Sequence, residues 1–226
     1  MISVYLNGPQ WFLGVAGAIE AFAALIIFIV AFLAARIYRV TNERKYLSFS
    51  LSFILLSLSF LVKSITDCIL SGTLVPLAEK MQTTIFFAGY VGHIFLALAA
   101  YTILLVITHK IEDKRVIALI FALLLPALLL SGSYFISFYT ISIILLGFVT
   151  FAYFQNFRNV CSASSCLVFL AFALLTLSQA QFLMQRMGDI WYIAGNITQA
   201  AAFLTMLIAL ARVLIVPRAN RKSHKK

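Results

Sequence analysis

Seven apolar runs take up almost the whole chain. They cover roughly residues 11–35, 46–70, 84–108, 116–130, 134–154, 165–184 and 190–215 of 226. A helix that crosses the hydrocarbon core of a bilayer needs about 20 mostly apolar residues. In lipid every backbone N–H and C=O must find its partner within the protein, and a helix provides this inside one segment. The expected fold class is therefore all-α, a polytopic membrane protein with seven transmembrane helices. The fourth run is the weakest: it is short, holds Pro126, and is separated from the fifth only by Ser131, Gly132 and Ser133. Composition points the same way, with 63% hydrophobic and 11% charged residues and a mean hydropathy of +1.05. Soluble domains carry about 25% charged residues, and disorder requires low hydrophobicity. The expected organisation is one transmembrane domain over residues 1–216 and a basic tail over 217–226.

The net charge of +10 resolves into an orientation. Of the 17 basic residues, all but Lys63, Lys80 and Arg186 fall in the loops after the first, third and fifth runs or at the C-terminal end. Only Glu43, Glu112 and Asp113 oppose them on that side. Short cytoplasmic loops carry the excess of Lys and Arg, so the N-terminus is expected outside and the C-terminus in the cytoplasm. Residues 1–10 contain no Lys or Arg, unlike the basic start of a secretory signal peptide, and the first run reads as a retained helix. The tail can also touch anionic lipid. No folded module presents a basic face to nucleic acid. Cys68 lies near the outer end of its span and Cys161 and Cys166 near the cytoplasmic face, so no disulfide is expected.

The sequence also suggests a repeat. Residues 51–59 read LSFILLSLS and residues 170–178 read LAFALLTLS, an offset of 119 at which Val30 also falls on Val149 and Arg39 on Arg158. At an offset of 106, Ala88-Gly89-Tyr90-Val91 falls on Ala194-Gly195-Asn196-Ile197 and His93 on Gln199. This pattern predicts a 3+1+3 duplication. Repeat one covers about residues 11–108, a linker helix about 116–130, and repeat two about 134–215. Parallel repeats about an axis normal to the membrane are a known plan.

Ionisable groups inside a bilayer mark functional sites by default. Here they are Glu20, Lys63, Asp67 and His93, joined by the amides Gln179, Gln181, Asn196 and Gln199. Nearly all fall in the outer half of the bilayer. Lys63 and Asp67 are four apart and share a helix face, as do Tyr90 with His93 and Asn196 with Gln199 at a spacing of three. The candidate ligand-binding set is Glu20, Lys63, Asp67, Tyr90, His93, Asn196 and Gln199, lining a polar cavity that faces outward. The other reading is a self-satisfied Lys63–Asp67 pair with interhelical amide hydrogen bonds. Small residues around Gly89, Gly92 and Gly195 read as helix-packing patches.

The 3+1+3 layout with N-out, C-in topology resembles microbial rhodopsins and SWEET-type sugar carriers. The unit of Tyr38-Arg39, a short basic loop and LSFILLSLSF also resembles prokaryotic membrane-sensor modules. SWEET-type proteins carry Pro-Gln turns within the bundle, whereas the Pro-Gln here is Pro9-Gln10, outside it. A retinal pigment needs a Lys in its seventh helix, and residues 190–215 have none. The resemblance thus implies a sensor or receptor without retinal.

No cofactor, metal or enzyme activity is expected. His93 is the one histidine at depth, too few for a zinc centre or a bis-histidine haem, and G-x-S-x-G and P-loop motifs are missing. The alternatives to a sensor are a small-solute or proton-coupled carrier and an accessory subunit of a membrane complex. Expected partners are membrane lipid, a small-molecule ligand from the outer side, and a protein in the membrane or at its cytoplasmic face.

Overall fold

The computed structural model describes residues 10–70, 79–129 and 133–223, and among these it contains helices and no strand. Pro9, Ser131, Gly132, Lys225 and Lys226 lie outside the described residues. The helices are α1 (Gln10–Thr41), α2 (Arg44–Leu70), α3 (Glu79–Thr108), α4 (Lys114–Leu129), α5 (Tyr134–Val160), α6 (Ala163–Leu183) and α7 (Asp189–Ser223), with a 3-10 turn at Met184–Met187. Six of the seven are long and apolar enough to cross a membrane. The exception is α4. Its 16 residues reach about 24 Å at 1.5 Å per residue, short of the roughly 30 Å hydrocarbon core. This is a multi-pass integral membrane protein.

The six long helices close into a ring. Around it, α1 packs on α2, α2 on α3, α3 on α5, α5 on α6, α6 on α7, and α7 back on α1. Helix α4 stays outside and touches α5 and α3. Its place follows from the direction of its neighbours. Phe135 lies 6.2 Å from Phe86 near the start of α3, and Phe148 lies 6.2 Å from His109 just past its end. Helices α3 and α5 therefore run parallel, and α4 carries the chain back from the end of one to the start of the other. All the loops rich in Lys and Arg gather at one end of the ring, hereafter the basic end; Arg186 and Ser133 meet at the opposite, charge-poor end.

Some local features recur at positions 119 residues apart. Helix α1 stops at Thr41 and α2 starts at Arg44; α5 stops at Val160 and α6 starts at Ala163. Asn42 and Cys161, equivalent at the offset of 119, both adopt left-handed backbone (φ 55° and 47°). Each returns its N–H to the carbonyl four residues back, on Tyr38 and Phe157. Such a residue ends a helix by satisfying an otherwise orphaned carbonyl. Burial keeps the same register: Ile27 and Val30 of α1 are buried, as are Leu146 and Val149 of α5. The buried Phe53, Leu56 and Ser59 of α2 likewise correspond to the buried Phe172, Leu175 and Ser178 of α6.

Helices α1 and α2 are joined by a ladder of serines. Ser50, Ser57 and Ser64 recur every seven residues, and each hydroxyl donates at 2.8 Å to a carbonyl of α1, on Ala31, Ala24 and Gly17 respectively. Small residues let membrane helices approach closely. The packing patches expected from the glycines are present where two of them meet a neighbour. A Cβ on Gly89 would lie 2.7 Å from Thr66 Cγ2 on α2, and one on Gly195 would lie 2.7 Å from the Phe182 ring on α6. Gly92 meets only an ordinary contact with Val62 at 3.8 Å. Towards the basic end the ring is filled with apolar side chains, including Phe53, Leu104, Leu146, Phe172 and Met206.

Candidate functional site

The buried charged residues converge between the helices of the ring. Glu20 on α1 accepts a hydrogen bond from Lys63 Nζ through Oε1. Lys63 also reaches Asp67 Oδ2 at 3.1 Å. Tyr90 on α3 donates to the other oxygen of Asp67 at 2.5 Å. A continuous chain, Glu20–Lys63–Asp67–Tyr90, thus ties three helices together. The Lys63–Asp67 link is the i,i+4 pair expected from their spacing. The link to Glu20 is added by the antiparallel packing of α1 on α2, which brings together residues 43 apart in the sequence. All four residues are buried.

His93 is satisfied by α2. Its Nδ1 lies 2.7 Å from Ser59 Oγ, and that hydroxyl also approaches the His93 carbonyl oxygen at 2.8 Å. The imidazole is flanked edge-on by Phe60 and Phe138. Asn196 turns back on its own helix, donating through Nδ2 to the Tyr192 carbonyl at 2.9 Å. Of the seven expected site residues, Glu20, Lys63, His93 and Gln199 line one cavity. Asp67 and Tyr90 stand behind Lys63 as its support, and Asn196 is buried beside them without lining the cavity.

Two features of the cavity go beyond the expected residue set. First, its lining comes from every helix of the ring: Phe138 and Tyr139 of α5 and Gln179 and Phe182 of α6 join Phe60, Tyr101 and the residues above. Second, it has space for about one water molecule. Further towards the charge-poor end, Phe12 meets Tyr192 edge-on at 5.9 Å. Phe86, Tyr90 and Phe135 form a second aromatic group there.

Two buried oxygens of the lining residues lack a hydrogen-bond partner: Glu20 Oε2 and Gln179 Oε1. Both residues are 2% exposed. Buried polar atoms are nearly always paired, so these two define the chemistry the cavity can take up. Among the described residues no group of His, Cys, Asp or Glu is arranged to hold a metal ion.

Gln179, Tyr139, Phe138 and Ser59 complete the site and were not among the expected residues. At the offset of 119, Tyr139 falls on Glu20 and Gln179 on Phe60, all four of which line the cavity. Comparison with protein families, with curated proteins and with solved structures gave no match.

Proposed function

We propose that the chain is a non-enzymatic sensor or receptor of the cell membrane, without retinal. In this reading it crosses the bilayer seven times, N-out and C-in, with α4 as the short inverting helix of a 3+1+3 duplication. A small ligand arriving from the outer side enters the central cavity, and the resulting shift passes to a protein partner at the cytoplasmic face. The observation that carries the reading is the position of the polar cluster. All six ring helices meet there, so occupancy changes the packing of each, while the described buried residues further down to the basic end include no charged side chain and are mainly apolar. Packed interfaces respond to small local shifts by moving as bodies. Such a molecule needs no polar route through its inner half, whereas a carrier does.

The test uses protein reconstituted in liposomes and in nanodiscs. A sensor gives ligand-dependent thermal stabilisation and a changed distance between spin labels at the basic ends of α2 and α6, without solute flux. Flux that is lost in Glu20→Gln supports the carrier instead. The unpartnered Glu20 oxygen is what favours that second reading. An accessory subunit gives neither response and co-purifies with a larger complex.

A further inference from the structure

Two of the lining residues, Glu20 and Gln179, each keep one buried oxygen without a partner, beside the Tyr101 and Tyr139 hydroxyls and the Gln199 amide that line the same space; acceptors do not satisfy each other. Whatever completes the site must bring hydrogen-bond donors to both Glu20 Oε2 and Gln179 Oε1. Lys63 is already engaged with Glu20 Oε1 and Asp67. The formal charges matter as well. With Glu20 and Asp67 both ionised, two carboxylates against one ammonium leave the cluster at −1, a charge that a buried site sheds either by a proton on Glu20 or by taking up a cation. A water molecule would supply donors and leave that charge in place. Phe60, Phe138, Tyr139 and Phe182 make the walls aromatic, and a cation set against a ring face is attracted to it, the more so when desolvated. A divalent metal is a poor fit, since calcium takes 6–8 oxygen ligands and magnesium near-octahedral geometry. The space admits one water-sized species, which is the size of ammonium.

We propose that this cavity is a binding site for a small hydrogen-bond-donating monocation of the ammonium class, held by Glu20 Oε2 and Gln179 Oε1 against the aromatic walls. The site is the ligand site of the sensor reading and rests on it.

The experiment measures the thermal unfolding midpoint of the full chain in nanodiscs of zwitterionic lipid. Ammonium, sodium, potassium and tetramethylammonium chlorides are titrated at constant pH and ionic strength. The expected result is a saturable rise with ammonium, and none with sodium, potassium or the oversized tetramethylammonium. Glu20→Gln and Gln179→Leu each weaken the apparent affinity about tenfold or more, the loss expected from one charge-assisted hydrogen bond. If either variant fails to fold, Phe138→Trp fills the cavity from an apolar wall, leaves both oxygens in place, and must abolish the rise.

An equal rise with every salt overturns the site, as does an ammonium response that survives in the folded variants. Acidification that produces the whole rise, leaving ammonium nothing to add, also overturns it and assigns the missing hydrogen to a proton on Glu20. A flux assay with the same ions separates the two readings. An ammonium response accompanied by ammonium flux upholds the site and overturns the sensor. No ammonium response, together with label movement on another ligand, overturns the site and leaves the sensor standing.

Discussion

Ser57 Oγ donates to the Ala24 carbonyl oxygen at 2.8 Å, the middle rung of the ladder that fastens α2 to α1. In a bilayer such bonds contribute about 0.6 kcal/mol each. Ser57→Ala is therefore expected to lower stability by roughly that amount. The triple replacement of Ser50, Ser57 and Ser64 should lower it by about 2 kcal/mol if the rungs act independently. Reversible unfolding in mixed micelles checks this, and a triple variant as stable as the parent would contradict the ladder.

Removing the ammonium from the charge cluster should be far more damaging. Lys63→Met strands the carboxylates of Glu20 and Asp67 in a buried site, and breaking a buried pair in this way costs about 3–5 kcal/mol. Neutralising all three positions (Glu20→Gln, Lys63→Met, Asp67→Asn) removes the stranded charge and should restore most of the stability. Thermal midpoints of the single and triple variants make the comparison. A triple variant no better than Lys63→Met would show that the cluster holds the fold by more than charge balance.

Gly89→Ala and Gly92→Ala form a matched pair on α3. At Gly89 the new methyl would meet Thr66 at distances under 3 Å; at Gly92 the nearest atom is Val62 Cγ1 at 3.8 Å. Overpacking costs about 1–3 kcal/mol, so Gly89→Ala should be destabilising by that amount and Gly92→Ala close to neutral. Equal midpoints for the two variants would mean that α3 can shift away from α2 without loss.

The place of α4 can be read with site-specific labelling. In the N-out, C-in arrangement, a cysteine at Glu112 in the loop before α4 reacts with a membrane-impermeant reagent only from the cytoplasmic side. One at Ser133, just before α5, reacts only from outside. Labelling of both from one side would show that α4 does not cross.

Much of this site was legible because the relevant residues were few. In a chain so apolar, Glu20, Lys63, Asp67 and His93 stand out, and the spacing of four between Lys63 and Asp67 already implied a shared helix face. The partnership with Glu20 was not legible, because it depends on the exact antiparallel register of α1 on α2. The serine ladder sets that register. Its period of seven was present in the sequence but hidden among other serines at 48, 52 and 59. The contribution of α5 was obscured for a different reason. Phe138 and Tyr139 look like ordinary membrane aromatics until the ring closes and turns them inward. The size of the cavity also lay beyond pattern reading, since it depends on how Phe60, Phe138, Tyr139 and Phe182 pack around the polar groups.

The serine ladder has a mechanical consequence. The two halves of the ring share an outline, but α1 and α2 are pinned backbone to side chain along their length, and α3 is fastened to them through Asp67–Tyr90 and Ser59–His93. At the equivalent of Ser57, α6 carries Thr176, which meets the Thr150 hydroxyl instead of a carbonyl of α5. The first three helices are therefore cross-tied by hydrogen bonds, and the thinnest packing of the ring runs along the α3–α5 and α7–α1 seams. In the proposed sensor, a ligand that swells the cavity opens these seams first. Because α7 runs on as helix to Ser223, it carries such a movement out to the basic end.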